Sequence, residues 1–133
     1  GRICERLVEI PGIGDSARIL VLGLTFKENV PDLRNSKVVS LINYLKSQGH
    51  NINVHDPIAD SDEAERLFGI TLLEKLDSTK EYDCVIGAVC HSIYTDFSNE
   101  YLEKKVAYKG LIVDLKGMWR SLDLDLSVLR MEI

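Results

Sequence analysis

Two cations and an acid stand close together in the segment "GLTFKENVPDLRNS", Gly23 to Ser36. Lys27 and Arg34 flank Asp32, with Phe26 beside the lysine. The segment follows the apolar run "RILVL" and precedes a helical pattern, so it reads as a strand-to-helix loop at the positive end of a helix. A helix N-terminus with two cations suits an anion such as a diphosphate or a carboxylate. The same residues also read as solvated charges, with Arg34 paired locally to Asp32. Two further positions lie just after apolar runs. Asp56 in "VHDP" fits either a ribose hydroxyl or a plain Asp-Pro turn. Lys116 in "VDLKGMW" fits either an anion ligand or an exposed lysine, and Trp119 either stacks on a base or covers the sheet.

The elements that must position these residues follow from periodicity. "ARILVLG" (Ala17 to Gly23) is a short, β-rich apolar run that predicts a central parallel strand. From Ser36 to Gln48, Val38, Leu41, Ile42 and Leu45 recur at helical spacing, with Ser36 as cap and Gly49 as terminator. "NINVHDP" predicts a second strand, ended by Pro57. Asp60 and Glu63 form a capping-box-like pair opening a helix with Ala64, Leu67 and Phe68 on one face. "YDCVIGAV" (Tyr82 to Val89) and "LIVDL" (Leu111 to Leu115) are two more buried strands, with a mostly polar helix over Asn99 to Val106 between them. The alternation predicts an α/β, doubly wound, Rossmann-like single domain, its mostly parallel sheet covered by helices on both faces. Ligands of such sheets bind beyond the carboxyl ends of the strands, where the residues above fall. The tail "LDLDLSVLRMEI" alternates in polarity and fits either an edge strand or a loosely held end.

Composition limits the function classes. The 133 residues carry 16 Lys and Arg against 21 Asp and Glu, a net charge of −5, which argues against a general nucleic-acid or anionic-membrane partner. No apolar run reaches the length of a membrane span and no secretory leader opens the chain, so a cytoplasmic location is expected. Cys4, Cys84 and Cys90 include no CxxC pair and read as free thiols, two of them on an apolar strand. Cys90 and His91 resemble a catalytic pair, but as neighbours on a strand they would point to opposite faces. His50, His55 and His91 lack zinc-type spacing, so no metal is expected. The glycines of "PGIGDS" precede a strand instead of following one, and only Gly23 follows the first strand, so the dinucleotide fingerprint is missing. The opening "GRICERLVEIPGIGDS" reads as the tail of an upstream helix plus a linker.

"LGLTFKENVPDLRNSKVVSLINYL", "VHDP", "YDCVIGAVCHSIYTDF" and "IVDLKGMW" together resemble the C-terminal domain of the UDP-glucose/GDP-mannose dehydrogenase family, from about Ala17 to Trp119. The "GLTFKEN-PD-RNS" and "DLKG" wording is most similar to the UDP-N-acetylhexosamine 6-dehydrogenases of bacterial capsule and O-antigen synthesis. The resemblance implies residues 1–16 as the end of an upstream connecting region and 17–133 as a UDP-sugar-binding domain. It implies a full-length homodimeric oxidoreductase that oxidises the sugar C6 alcohol to a carboxylate with two NAD, which are held mainly by a separate N-terminal domain. Phe26 and Lys27 resemble the pair that meets the substrate, Lys27 near the reacting carbon. Lys116 falls where relatives place a substrate-binding cation, and Arg34 matches the arginine that reaches NAD. The family's nucleophilic cysteine belongs to an upstream motif, so no catalytic nucleophile is expected here and the domain alone should be inactive. The reading of another class is a free-standing α/β module that binds a nucleotide or a partner protein without chemistry.

Overall fold

The computed structural model describes residues 16–77, 79–125 and 127–130. Cys4 and the "CERLVEI" segment lie outside the described residues. Six strands form one sheet in the order β3-β2-β1-β4-β5-β6: β1 Arg18–Leu22, β2 Asn51–His55, β3 Leu72–Leu73, β4 Tyr82–Gly87, β5 Val106–Asp114 and β6 Ser127–Arg130. Every neighbouring pair is parallel. The helices are α1 Val38–Ser47, α2 Ser61–Phe68, α3 Ser92–Thr95 and α4 Asn99–Lys105.

Successive residues of a strand face opposite sides of the sheet, and the core divides accordingly. Ile19 and Val21 of β1 pack with Cys84 and Ile86 of β4, against Val38, Ile42 and Leu45 of α1 and Ala64 of α2. Leu20 and Leu22 face the other way with Val85 and Ile112, against Tyr94 of α3, Leu102 of α4 and Trp119. The central strands are therefore apolar on both faces, which is why they read as continuous runs instead of alternating ones. Trp119 is fully buried and packs on Gly87, where an added Cβ would lie 2.7 Å from the indole ring. It covers the sheet and offers no stacking face.

Local chemistry explains the ends of elements. Asp60 caps α2 by accepting the Glu63 amide at 3.0 Å, and Ser98 caps α4 by accepting the Tyr101 amide at 3.1 Å. Ser36 does not cap α1. Its hydroxyl donates instead to the Leu24 carbonyl at 2.6 Å, tying the loop to its own start, and Lys37 takes the cap position without a side-chain bond. Leu67 does not share the buried face of Ala64, because it is 45% exposed. β4 ends at Gly87, so Cys90 and His91 lie beyond the strand, not on it. β5 begins at Val106, where α4 stops, and the tail supplies β6 as an edge strand parallel to β5. Among the described residues no helix is long and apolar enough to cross a membrane.

Candidate functional site

β1 has β2 on one side and β4 on the other, so the crevice beyond its carboxyl end is the switch point of the sheet. In a dinucleotide-binding domain, a glycine turn keeps that crevice open for a diphosphate. Here Gly23, with φ 103°, makes the turn, but Val89 is pressed against it: a Cβ on Gly23 would lie 2.6 Å from the Val89 Cβ. The Val89 amide also donates to the Leu22 carbonyl at 3.3 Å. The slot is filled by protein, and the residues present do not form a dinucleotide cradle there.

Beside the filled slot, a buried polar cluster joins three strand ends. Asp56, at the end of β2, accepts the Leu24 amide at 2.6 Å and the Thr25 amide at 3.0 Å through Oδ2. Its Oδ1 accepts the Ile58 and Ala59 amides at 2.9 and 3.1 Å, so the Asp-Pro turn is real and no oxygen is left for a ribose. His91 Nε2 lies 2.9 Å from Asp56 Oδ2, and both side chains are fully buried. His91 Nδ1 accepts the Asn29 amide at 2.8 Å, which leaves the ring hydrogen on Nε2, directed at the carboxylate. Burial pushes the Asp56 carboxyl up, but the His91 bond and the two loop amides outweigh it and hold it below the ordinary value. His55 stands next to this cluster, its Nδ1 2.8 Å from the Tyr94 hydroxyl, which itself donates to the His55 carbonyl. Burial holds the His55 imidazole below its usual value against the opposing charge of Asp56, and pushes the Tyr94 hydroxyl up.

Two clefts open on either side of the β1–α1 loop. The smaller, about 90 Å³, has Phe26, Thr25 and Val89 on its walls, with Lys37 at the start of α1 and Lys116 after β5. Asp114 sets the last of these: its carboxylate accepts the Met118 and Trp119 amides, both at 3.0 Å, and so fixes the turn that carries Lys116. The larger, about 610 Å³, is lined by Arg34 and Asp32 of the loop, by Glu63 and Arg66 of α2, and by Val30 and Leu67. Arg34 Nε sits 3.3 Å from Asp32 Oδ1 with a side chain 82% exposed, so the local pair forms and the rest of the guanidinium faces outward. The Arg34 amide, then its guanidinium, holds the Asp32 carboxyl below its ordinary value.

Of the residues singled out by sequence, Phe26 and Lys116 therefore share one cleft and Arg34 lines another. Lys27 is exposed on the loop between them and lines neither, while its carbonyl accepts the Thr25 hydroxyl at 2.8 Å. Lys37, which has no motif of its own, joins the smaller cleft from its place immediately before the helical pattern, where a strand-to-helix loop delivers a side chain to the ligand end of the sheet. Neither Cys90 nor the other histidines partner His91, whose partner Asp56 lies 35 residues away. Burial pushes the Cys84 and Cys90 thiols up, and Glu28 adds to the effect at Cys90, so neither is held as a thiolate. Among the described residues no group of three or more His, Cys, Asp or Glu is arranged to hold a metal ion.

Strand order and the cation-lined cleft beyond the carboxyl ends define a Rossmann-like α/β domain of doubly wound topology. The chain belongs to the UDP-glucose/GDP-mannose dehydrogenase family: residues 20–121 match its UDP binding domain. It is 42% identical over 111 residues to Protein CapL of Staphylococcus aureus, covering 84% of this chain and 26% of that protein. It is 39% identical over 117 residues to the UDP-N-acetyl-D-glucosamine 6-dehydrogenase of Pseudomonas aeruginosa, covering 88% of this chain and 27% of that enzyme. In fold it is similar to the UDP-D-ManNAc dehydrogenase of Pyrococcus horikoshii, with a TM-score of 0.75 at 18% identity over 96% of this chain and 28% of that one. The chain thus spans about a quarter of the length of the curated relatives it matches.

Proposed function

We propose that this chain is the UDP-sugar-binding C-terminal domain of an NAD-dependent nucleotide-sugar 6-dehydrogenase. Its substrate is a UDP-N-acetylhexosamine and its uronate product serves surface polysaccharide synthesis in the cytoplasm of a bacterium. Residues 1–16 are the end of a connecting region and 17–133 the domain itself. The partners are the enzyme's own N-terminal NAD-binding domain and a second subunit. The observation that carries this reading is the cleft where Phe26, Lys37 and Lys116 converge beside the filled switch point, an apolar wall with two cations. Diphosphate charge is matched by the lysines and by the uncapped amides of α1, and Phe26 covers an apolar face of the ligand.

The roles follow from position. Lys116 and Lys37 hold the UDP moiety. Lys27, exposed on the same loop, extends toward the sugar, where an ammonium stabilises oxyanion character as the C6 aldehyde adds the upstream cysteine and as water cleaves the thioester left by the second hydride removal, releasing the carboxylate and the thiol. Arg34, outward-facing in the second cleft, reaches the NAD held by the preceding domain. Bound NAD supplies the oxidant for two successive hydride removals from C6. With the switch point filled by Val89, the domain has no dinucleotide cradle of its own and is inactive alone.

The test is NADH production by the full-length parent, offered UDP-GlcNAc, UDP-GalNAc, UDP-glucose and GDP-mannose in turn. Two NADH per sugar with one UDP-N-acetylhexosamine is the expected result. A folded parent that reduces no NAD with any of them would leave the chain as a binding module without chemistry.

A further inference from the structure

Thr25 and Asn29 bracket the exposed residues Phe26, Lys27 and Glu28, and both brackets end on one imidazole. His91 Nδ1 accepts the Asn29 amide at 2.8 Å. On the other side, Nε2 lies 3.2 Å from the Thr25 hydroxyl oxygen and 2.9 Å from Asp56 Oδ2. The Thr25 hydroxyl gives its own hydrogen to the Lys27 carbonyl at 2.8 Å, so toward His91 it can only accept. The Nε2 hydrogen is therefore shared between Thr25 and Asp56, and the ring's two nitrogens are both used. Asp56 also takes the Leu24 and Thr25 amides, so a single carboxylate–imidazole unit grips the loop at Leu24, Thr25 and Asn29.

A second clamp lies at the surface. Asn29 Nδ2 donates to Ser92 Oγ, and Asn29 Oδ1 accepts the Ser92 amide, each at 3.1 Å. The Phe26 amide closes on the Asp32 carbonyl at 2.8 Å. Asn29 itself holds a positive φ of 59°, a conformation that persists only where neighbours enforce it. A loop needing only to connect β1 to α1 requires none of this. These bonds instead fix the one segment that carries Phe26, a wall of the smaller cleft, and its exposed neighbour Lys27.

We propose that His91, seated on Asp56, is a positioning residue that acts together with the Asn29–Ser92 clamp: the two set the Phe26–Glu28 segment, and with it the Lys27 ammonium, relative to the cleft. The effect on turnover rests on the reading of the chain as part of a UDP-sugar dehydrogenase, whereas the effect on the loop does not. His91 touches no ligand and acts through Thr25 and Asn29.

The experiment uses the full-length enzyme and three variants, His91→Gln, His91→Phe and Asn29→Gly. Hydrogen exchange over Phe26 to Asn29 is read beside melting temperature and steady-state kinetics. Gln keeps an amide donor where His91 Nε2 stands, toward Asp56 and Thr25, while the Ser92 clamp still holds Asn29, and Gly tolerates the backbone of Asn29 while releasing Ser92. Asn29→Gly and His91→Phe should speed exchange across the segment about tenfold or more. They should lower kcat about tenfold while the KM for the UDP-sugar changes by less than about threefold, because misplacement of Lys27 acts on the transition state. His91→Gln should restore kcat to within about threefold of the wild type. The melting temperature of Asn29→Gly should stay within about 3 °C of the wild type, as expected of a surface change. If His91→Phe fails to fold, the Asn29→Gly and His91→Gln results decide alone. Unchanged exchange and kcat in Asn29→Gly would overturn the proposal, and so would a His91→Gln enzyme as impaired as one without the loop clamp. A wild-type enzyme that reduces no NAD would sink the dehydrogenase reading, while exchange would still decide whether His91 holds the loop.

Discussion

Val89 occupies the space that the missing side chain of Gly23 leaves open, with 2.6 Å between the Val89 Cβ and the position of a Gly23 Cβ. Gly23→Ala is therefore expected to cost about 2–4 kcal/mol, from overpacking together with the strain of a positive φ. In a Val89→Gly background the contact with the Val89 side chain should disappear while that with its backbone nitrogen at 2.8 Å stays, leaving a coupling of about 1 kcal/mol or more between the two sites. Urea titration of the four proteins measures it. Additive costs would mean that strain and the backbone contact, not the Val89 side chain, make the glycine necessary.

Lys27 and Arg34 sit on one loop but face different clefts or none, so their losses should separate kinetically. Lys27→Ala in the full-length enzyme should lower kcat about a hundredfold with little change in the KM for NAD. Arg34→Ala should raise the KM for NAD about tenfold and leave kcat within about twofold. Steady-state kinetics with each substrate varied checks both, and unchanged constants in the two variants would remove these residues from the site.

Lys37 and Lys116 should act on UDP affinity instead. Each alanine substitution is expected to weaken UDP binding about tenfold in titration calorimetry, and Arg34→Ala to leave it unaltered. Affinity should also fall as salt rises from low to physiological concentration, because the lysines are exposed. A Lys116→Ala protein with wild-type UDP affinity would assign the cleft to another ligand.

Acid should destabilise the fold in two stages. His55 is held below its ordinary value of 6.5, so the stability it contributes is complete above that pH and is lost as pH falls through the lower folded value. Asp56, held below 3.8, contributes stability that is complete above 3.8 and lost only as pH falls further. Urea midpoints between pH 8 and pH 3 are expected to show both declines, with roughly flat behaviour at the alkaline end. His55→Gln should remove the first decline and keep the second. A wild-type protein equally stable at both ends of the range would mean that neither group is linked to folding.

Much of the architecture was legible in the residues. The runs "RILVL" and "CVIG" read as central strands because both of their faces are covered, and helical spacing marked α1 through Val38, Ile42 and Leu45. The Asp60 cap was equally plain, since its partner Glu63 is only three residues away. What failed to read was chemistry that depends on distant partners. Ser36 has the residue type of a cap, but the Leu24 carbonyl takes its hydroxyl. β3 is two residues long and carries no periodicity, and α3 is a single turn. In the site, the cations after the strands were visible because strand ends can be read locally. The Asp56–His91 unit was not, because its members lie 35 residues apart and meet only when β1, β2 and β4 are side by side.

The β1–α1 loop is a party wall. Phe26 and Thr25 form part of the smaller cleft, and Val30, Asp32 and Arg34 part of the larger, with the Phe26–Asp32 backbone bond joining the two sides. A graft or an insertion meant to change which ligand fits one side will reshape the other. Attempts to retune the proposed sugar choice should therefore be screened for both ligands at once, and substitutions after β5 make the more separable starting point, because the residues after β4 hold this same loop.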